Sequence, residues 1–420
     1  MSNQKLVYIG AAGEMAAAAI KGLAESRPDL EMFLTDINVE RLNAFAATVP
    51  GQDRIRTGTV DLFNPAALGD ALKGATLVIN GAGPYMRTTE PVLRAAIAAG
   101  CDYLDYADDA EAALAAKGLA DDAKAACIGA FVGVGLSPGY LNILAVDAAS
   151  ELDTVESIDL DWYVGDEGKY RYGDPVIEHW IHSISGECRS WQGGKQVSVP
   201  SYGAARRASF ADRDVLLYEC GHPEVVTLPL AFPEADSIRI FGGLAYATVN
   251  GLCKGIGEGI NRGDITAAEA KEFLLDLFDD TPPLVKVWPS ALRGVAEQVE
   301  RGEVSEEETR MVLAAMMTGQ HEPYTSGWSA TVTGLKNGER TTVVRRSPVV
   351  GPDSVMWTSM GAGTGLCAAA GAHMVLEGNK PGPGVYYPEN WMKPEQFFAA
   401  LQAVGIPESE ILDKGPALVG

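Results

Sequence analysis

The residues near the amino terminus that could do chemistry form a short glycine-containing turn. The letters GAAGEM, residues 10–15, follow the apolar run KLVYI and precede an alanine-rich stretch. A glycine at a strand end bends the chain sharply, and the amides that begin the next helix face an anion with the helix dipole behind them. The turn departs from the G-x-G-x-x-G fingerprint at its second and third glycines, so alone it indicates a dinucleotide only weakly. The predicted cofactor-facing residues are Gly10, Ala12, Gly13, Glu14 and Met15.

Residues at the ends of three later predicted strands strengthen this interpretation. Asp36 closes the second strand about twenty residues beyond the turn, where a carboxylate accepts hydrogen bonds from an adenosine ribose. The next basic residue is Arg41, so the 2′-phosphate of NADP would meet an uncompensated carboxylate, and NAD is the predicted cofactor. Asp61 ends the third strand beside the expected adenine edge. The fourth strand ends near the expected nicotinamide half with Gly81, Ala82, Gly83 and Pro84.

The elements that must position these residues alternate between strands and helices. Apolar runs at 5–10, 31–36, 54–61, 75–83, 102–107 and 128–135 are separated by good helix formers, a rhythm typical of a parallel sheet. Residues 1–145 are therefore predicted to form a doubly wound α/β domain. Such a fold with another ligand, or with none, is the alternative to a dinucleotide-binding domain.

The pattern changes after residue 145. Strand-like alternation surrounds two hairpin signals, Gly193-Gly194 and Asn337-Gly338, and capping boxes begin helices at residues 266 and 305. Residues 146–350 are therefore predicted to form an inserted α+β domain. Residues 351–420 are predicted to return as helices that pack beside the first domain. A glycine-rich turn at 360–365 precedes the first of these helices, and its small residues favour close helix packing.

Composition excludes several classes of protein. The chain has 420 residues, of which 47% are hydrophobic and 21% charged, and it contains neither a signal-peptide pattern nor a long uninterrupted apolar run. We therefore expect a cytoplasmic protein. The formal net charge of -23 disfavours nucleic acid and anionic membranes as partners. Six cysteines without a C-x-x-C pair predict neither a disulfide framework nor a structural zinc site.

Carboxylates at the end of the fifth strand are the first candidates for the reacting site. Asp105 and Asp108 could bind a cationic amine there, and Asp105 is a candidate for proton transfer. The alternative is that these acids cap the helix predicted to begin near Asp109.

Three histidines in the middle domain are candidate acid–base groups. His179 and His182 would share one face of a helix and could bind a metal, but the segment leads into the Gly-Gly hairpin and is interpreted as a strand. Residues three apart in a strand point to opposite faces, so no metal site is predicted. His222 lies in a predicted turn with Glu224. For each histidine, packing in the interior is the alternative to a role in catalysis.

Arginines of the middle domain are candidates for binding a substrate carboxylate. A guanidinium recognises a carboxylate through two parallel hydrogen bonds. The alternative for each is a solvated surface position. The candidates are Arg171, Arg206 and Arg207.

Several phrases together resemble the saccharopine dehydrogenase family, taken broadly with lysine 6-dehydrogenase and carboxynorspermidine dehydrogenase. IGAAGEMAAAAIKGLA with Asp36, VINGAGPYMRTTEPVLRAAIAAGCDYLDYADD and GVGLSPGYLNILA occur in the family's order. GHPEVVTLPLAFPEADSIRIFGG is similar to part of the substrate domain, and GVYYPENWMKPEQFFAALQAVGI to the family's ending. The resemblance touches both ends and the middle of the chain.

This resemblance implies a fold and an activity. The expected fold is a Rossmann domain completed by C-terminal helices, with the substrate domain inserted and used for a homodimer. The expected activity is NAD(P)-dependent oxidation of an amine of an amino acid, or reduction of the corresponding imine, at a carbon–nitrogen bond. Basic residues are few in the middle segment, so a smaller amino acid or an imine is expected rather than saccharopine, which carries several carboxylates. Residues 103–105 and Pro138-Gly139 would border the nicotinamide. A catalytically silent NAD-binding regulatory or scaffold protein is the alternative.

Overall fold

The structure is a computed structural model, and its chain divides into two compact units. The first unit comprises residues 1–147, 226–231 and 353–412, and the second comprises residues 148–225, 232–352 and 413–420. The residues described are 4–165, 173–279, 281–318, 324–351, 353–415 and 418–419.

The amino-terminal third of the chain alternates strands and helices, as the sequence predicts. The elements in order are β1 Lys5–Ile9, α1 Glu14–Ser26, β2 Glu31–Thr35, α2 Val39–Ala46, β3 Ile55–Gly58, α3 Pro65–Leu72, β4 Leu77–Asn80, α4 Tyr85–Ala99, β5 Asp102–Asp105, α5 Ala110–Lys117, α6 Ala120–Ala125, β6 Gly129–Phe131 and α7 Tyr140–Ala149.

The middle of the chain mixes longer strands with helices. These elements are β7 Thr154–Val164, α8 Asp174–Ile184, β8 Glu187–Gln192, β9 Lys195–Pro200, β10 Ala205–Ser209, β11 Asp214–Glu219, α9 Glu224–Ala231, β12 Ser237–Leu244, α10 Ala247–Arg262, α11 Ala267–Phe278, α12 Trp288–Glu300, α13 Glu306–Met317, β13 Ser326–Lys336 and β14 Glu339–Arg346. The carboxyl-terminal elements are α14 Met360–Leu376, β15 Gly384–Tyr386, α15 Pro388–Trp391, α16 Pro394–Ala403 and β16 Leu418–Val419.

The first unit is built on a seven-stranded sheet of order β15-β6-β5-β4-β1-β2-β3. Its strands pair in parallel throughout. Strands β1 and β4 are almost wholly buried, which explains why they are largely apolar without alternation. Strand β5 is also buried, although it begins and ends with an aspartate. The predicted doubly wound parallel sheet is confirmed. The strand β15 comes from the carboxyl-terminal segment and extends the sheet beyond β6.

Helix α14 packs closely on α1, because small residues face each other where the helices cross. A Cβ atom on Gly365 would lie 2.1 Å from the Met15 carbonyl oxygen, and one on Gly22 would lie 3.4 Å from the Leu366 side chain. The expected return of a small-residue helix to the first unit is therefore confirmed. Residues 360–365 themselves differ from the prediction, because they belong to the helix and not to a turn before it.

The second unit contains a nine-stranded mixed sheet with the central order β10-β11-β12-β7-β13-β14-β16, to which β8 and β9 are added. Both predicted hairpins are present: β8 pairs with β9 across Gly193-Gly194, and β13 pairs with β14 across Asn337-Gly338. The four turn residues have positive φ, as a type I′ turn requires. The predicted capping box of Thr266 and Glu269 begins α11.

The segment that contains His179 and His182 is not a strand. It forms the helix α8, in which Ile177, Trp180 and Ile181 are buried. Their spacing of three and four residues is the helical period, and the strand interpretation was wrong because it extended the neighbouring hairpin backwards. Among the residues that the structure describes, no helix is long and apolar enough to cross a membrane.

The α1–α14 contact predicts the effect of a single methyl group. Gly365→Ala should reduce the free energy of unfolding by about 1–3 kcal/mol, because the two helices must separate to admit the Cβ atom. Gly69→Ala in α3 is the matched control. Apart from its chain neighbours and the backbone of its own helix, nothing lies within 4 Å of the added Cβ, so helix propensity should raise the stability by about 0.5–1 kcal/mol. Urea unfolding followed by circular dichroism measures both. Equal shifts in the two variants would contradict the close contact.

Candidate active site

The carboxyl ends of the parallel strands bring the predicted cofactor residues to one edge of the sheet. Gly10 follows β1 with a φ of 76°, a conformation that favours glycine. A Cβ atom at this position would lie 2.7 Å from the Gly81 carbonyl oxygen. The turn after β1 therefore lies directly against the residue that follows β4, and glycine at position 10 is a steric requirement.

Two buried tyrosines that the sequence analysis did not single out lie beneath this contact. A Cβ atom on Gly81 would lie 2.4 Å from the Tyr106 hydroxyl and 2.8 Å from the Tyr8 ring. The Tyr8 hydroxyl donates to the Tyr106 hydroxyl at 3.3 Å. Burial raises the pKa of Tyr8, and that of Tyr106 to about 12, so both hydroxyls stay protonated at neutral pH. A signal existed in the sequence, because a tyrosine is unusual among the aliphatic residues of a buried parallel strand.

Asp36 ties the end of β2 to the glycine-containing turn. Its Oδ2 accepts a hydrogen bond from the Ala12 backbone nitrogen at 2.9 Å, and its Oδ1 accepts one from the Asn38 backbone nitrogen at 2.8 Å. The Asn38 side chain in turn caps α2 by accepting from the Arg41 backbone nitrogen. The carboxylate is thus fixed at the position where the sequence predicts an adenosine ribose, with its oxygens already oriented by two amides.

Two large apolar side chains are exposed to solvent in the segments that follow β2 and β3. Ile37 is 90% exposed and Phe63 is 68% exposed. The Asp61 carboxylate accepts from the Phe63 backbone nitrogen at 2.9 Å and so forms a local turn. β2 and β3 are neighbours, with Thr35 opposite Gly58. This side of the sheet edge therefore offers exposed apolar surface, and the assignment of Asp61 to the adenine edge stays a prediction.

Asp105 lies in a fully buried hydrogen-bonded cluster at the end of β5. Its Oδ2 accepts from the Tyr103 hydroxyl at 2.6 Å and from the Thr89 hydroxyl at 3.1 Å. Its Oδ1 accepts from the backbone nitrogens of Ala107 at 3.2 Å and Gly133 at 2.8 Å. Burial raises the pKa of the Asp105 carboxyl, and these hydrogen bonds offset part of that rise. The carboxyl is 0% exposed, so the structure gives it a role in holding the strand ends together, and its predicted part in proton transfer stays untested.

The neighbouring acid Asp109 lies at the N-cap position of α5, but its side chain makes no capping hydrogen bond there. Its Oδ2 instead accepts from the Met86 backbone nitrogen at 3.1 Å, in the first turn of α4. The N-cap residue is therefore Asp109, and neither Asp105 nor Asp108, the acids named in the capping alternative, occupies that position.

The loop at residues 135–140 is held by two buried polar residues that the sequence analysis also missed. Asn142 Oδ1 accepts from the Gly139 backbone nitrogen at 2.9 Å, and Asn142 Nδ2 donates to Glu389 Oε2 at 2.8 Å. The Gly135 and Pro138 backbones close the loop with a 2.8 Å hydrogen bond. Glu389 is 247 residues from Asn142, and no local pattern relates two such residues.

In the second unit, His222 is buried and is oriented by a buried carboxylate. Its Nδ1 lies 3.0 Å from Glu224 Oε2. The His222 ring centroid is 5.6 Å from that of Trp162 and 5.5 Å from that of His179. Two of the three predicted histidines therefore lie together, whereas His182 is exposed in the last turn of α8.

The candidate arginines of the second unit are engaged within it. Arg206 forms ion pairs with Asp159 at 2.8 Å and with Asp161 at 2.6 Å, and its guanidinium lies 4.0 Å from the Phe241 ring centroid. Burial raises the pKa of Asp161 to about 6, and the charge and hydrogen bonds of Arg206 act in the opposite direction. Arg207 donates to the Glu303 backbone carbonyl. The remaining candidate, Arg171, lies outside the described residues.

A parallel sheet of this order, with a glycine turn after β1 and a carboxylate after β2, defines a Rossmann-type dinucleotide-binding protein. The chain belongs to the saccharopine dehydrogenase family: residues 6–128 match its NADP-binding domain and residues 135–406 match its C-terminal domain. It is therefore an NAD(P)-dependent oxidoreductase that acts on a carbon–nitrogen bond of an amino acid. This membership confirms the resemblance and favours the enzyme over the catalytically silent alternative.

Solved structures agree at the level of fold. Saccharopine dehydrogenase (L-Glu forming) from Saccharomyces cerevisiae has a TM-score of 0.64 at 16% identity, covering 95% of this chain and 97% of that one. GenD2 from gentamicin A biosynthesis, in complex with NAD, scores 0.42 at 10% identity and covers 96% and 93% of the two chains. A short-chain dehydrogenase/reductase from Brucella melitensis scores 0.26 at 18% identity over 31% of this chain and 74% of that one. The last two likenesses are too slight to carry an argument.

The hydrogen bonds accepted by Asp105 predict that the protein loses stability when this carboxyl group is replaced. Asp105→Asn replaces an acceptor oxygen by a donor that faces two hydroxyls, and we expect a loss of about 1–3 kcal/mol of unfolding free energy. Tyr103→Phe removes one of the four donors and should cost less, about 1 kcal/mol. Chemical unfolding of the three proteins, with turnover measured in parallel, tests this order. An Asp105→Asn protein that unfolds like the wild type but has lost turnover would support proton transfer instead.

Proposed function

We propose that this enzyme prefers NAD and oxidises a small amino acid, or reduces the corresponding imine. The NAD preference is supported by the position of Asp36. This residue follows β2, the strand that pairs with β1, and its carboxylate accepts a hydrogen bond from the Ala12 amide of the glycine turn. Fixed there, the carboxylate would accept hydrogen bonds from both ribose hydroxyls of NAD. The 2′-phosphate of NADP would instead meet a negative charge. The matched family domain is described as NADP-binding, so the preference needs its own test.

The remaining cofactor assignments follow from this placement. The pyrophosphate would lie on the amides at the start of α1, where the helix dipole favours an anion. The nicotinamide would lie towards the residues that follow β4, at 81–84, and the loop closed by Gly135 and Pro138. This half of the site is supported by the close contact of Gly10 with Gly81.

His222 is the proposed proton-transfer group, with Glu224 as its orienting partner. A buried carboxylate against Nδ1 orients the ring, and we propose that the other ring nitrogen, Nε2, exchanges a proton with the amine. His179, with its ring beside that of His222, is the second candidate. His182 is exposed, so we assign it no part in the reaction that we propose.

The charges of the second unit support a substrate with few carboxylates. Arg206 is matched by two aspartates, and Arg239 is bound by Glu219 at 2.6 Å. Such guanidinium groups are already neutralised by their own unit, and a substrate with several carboxylates needs several free cations. A small amino acid or imine therefore fits these residues better than saccharopine does. The homodimer that the sequence resemblance implies stays a prediction.

The cofactor proposal predicts the response to loss of the Asp36 carboxylate. Asp36→Ser should weaken NAD binding about tenfold or more, because charge-assisted hydrogen bonds to the ribose are lost. NADP affinity should fall less, or rise, because repulsion of its phosphate is removed. Loss of the hydrogen bond to Ala12 affects both cofactors alike. The ratio of the NAD and NADP dissociation constants therefore reports only the interaction of residue 36 with the adenosine ribose and its 2′-phosphate. Titration of both reduced cofactors by fluorescence measures this ratio.

Asp53→Ser is the matched control for that experiment. Asp53 is an exposed acid that precedes β3, so it lies at the amino ends of the strands, away from the carboxyl ends where the cofactor is proposed to bind. Its removal changes the net charge equally and should leave the NAD-to-NADP ratio within about twofold of the wild type. An unchanged ratio in Asp36→Ser would exclude Asp36 from the ribose site.

The His222 assignment predicts a loss of turnover without loss of cofactor binding. After a panel of amino acids, polyamines and opines has identified a substrate, His222→Asn should lower kcat by about a hundredfold, because general acid–base catalysis contributes 10²- to 10⁴-fold. Glu224→Gln should lower it less and shift the pH profile. His373→Asn, on α14 of the first unit, is the control that should retain turnover. A His222→Asn enzyme with wild-type kcat would exclude the assignment.

A further inference from the structure

An acidic side chain begins the helix on which the cofactor phosphates are proposed to bind. Glu14 is the first residue of α1, directly after the N-cap residue Gly13. A helix N-terminus favours an anion, but a carboxylate free to turn towards the bound pyrophosphate would repel it at short range. The conformation of this one side chain therefore affects the affinity for the cofactor.

The Glu14 carboxylate is bound by a second helix. The Ser359 hydroxyl donates to Glu14 Oε1 at 2.9 Å. Ser359 Oγ itself accepts from the Ala362 backbone nitrogen at 2.9 Å, so the hydroxyl links the Glu14 carboxylate to the first turn of α14. Ser359 is the N-cap of α14, a helix of 17 residues. The carboxylate thus lies at the N-terminus of α14, where the dipole of that helix attracts it.

Gly361, two residues after Ser359, leaves room for the Glu14 carboxylate because it has no side chain. A Cβ atom on Gly361 would lie 2.8 Å from Glu14 Cδ and 2.9 Å from Oε1. Any side chain at position 361 would displace the carboxylate. Ser359, Gly361 and Ala362 together form what we call the carboxylate anchor.

We propose that the carboxylate anchor holds Glu14 off the phosphate-binding turn and thereby sets the affinity of the enzyme for its dinucleotide. Ser359 is a positioning residue that acts through Glu14, and Glu14 is the group whose charge would repel the cofactor phosphates if the anchor released it. This inference rests on the proposal that the turn at residues 10–15 binds the pyrophosphate. It assigns a function in cofactor binding to the beginning of α14, which is more than 340 residues from the turn in sequence.

The inference predicts effects of opposite sign at the two ends of one hydrogen bond. Glu14→Gln removes the charge and should tighten NADH binding about two- to fivefold at low ionic strength. Ser359→Ala releases the carboxylate and should weaken binding by a similar factor. Ser359→Thr keeps both the hydroxyl and the cap, and should bind as the wild type does.

A double-mutant cycle separates this effect from damage to α14. Ser359→Ala also removes a helix cap, but that loss is the same whether or not residue 14 is charged. We therefore expect Ser359→Ala to have no effect on NADH affinity when combined with Glu14→Gln. Ser305→Ala, which removes the comparable N-cap of α13 in the second unit, is the control that should leave affinity unchanged.

Isothermal titration with NADH at low ionic strength and again at 1 M salt completes the test. The differences should disappear at high salt, where the screening length falls to about 3 Å. Equal effects of Ser359→Ala in both backgrounds, or weaker binding in Glu14→Gln, would overturn the inference. Gly13→Asp distinguishes its failure from failure of the cofactor site, because an acid in the turn should abolish NADH binding if the pyrophosphate lies there. If Gly13→Asp binds normally, the placement of the cofactor itself is wrong.

Discussion

The contact between the turn after β1 and the residue after β4 determines the geometry of the whole sheet edge. Gly10 adopts a left-handed backbone conformation, and neither it nor Gly81 has room for a Cβ atom. Because the two backbones touch, the turn that leads into α1 and the half-buried residues after β4 lie side by side. The carboxylate of Asp36 fixes the same turn from the other side. A larger side chain at either glycine would separate the places where the two halves of a dinucleotide are expected.

Much of the fold follows from local sequence signals. The alternation of strands with helix formers predicts the parallel sheet. The dipeptides Gly193-Gly194 and Asn337-Gly338, whose residues readily adopt positive φ, predict the two hairpins. The helix α8 could also have been predicted, since its apolar residues repeat with a period near 3.6. A turn signal fixes the two strands that it joins, but it contains no information about the segment before them.

The partners of the charged and polar residues could not be predicted in the same way. Arg206 meets Asp161, 45 residues earlier, and Asn142 meets Glu389, 247 residues later. Such contacts depend on how whole elements pack, whereas propensity and periodicity describe neighbours in sequence. The sequence therefore identifies Arg206 as a candidate for a substrate carboxylate but cannot show that two aspartates already neutralise it. Asp105 is similar, because its burial becomes evident only from the elements that surround it.

The strand β15 and the helix α14 give the first unit an unusual order of assembly. Residues 384–386 pair with β6, and residues 360–376 pack on α1. Both segments are synthesised long after the elements that they contact. During synthesis, the first 147 residues therefore present an unpaired edge at β6 and an uncovered small-residue face on α1. Because these contacts join residues far apart in the sequence, the complete first unit forms only after residues 360–386 have been synthesised. A chain truncated before α14 therefore lacks both the helix that covers α1 and the strand that pairs with β6.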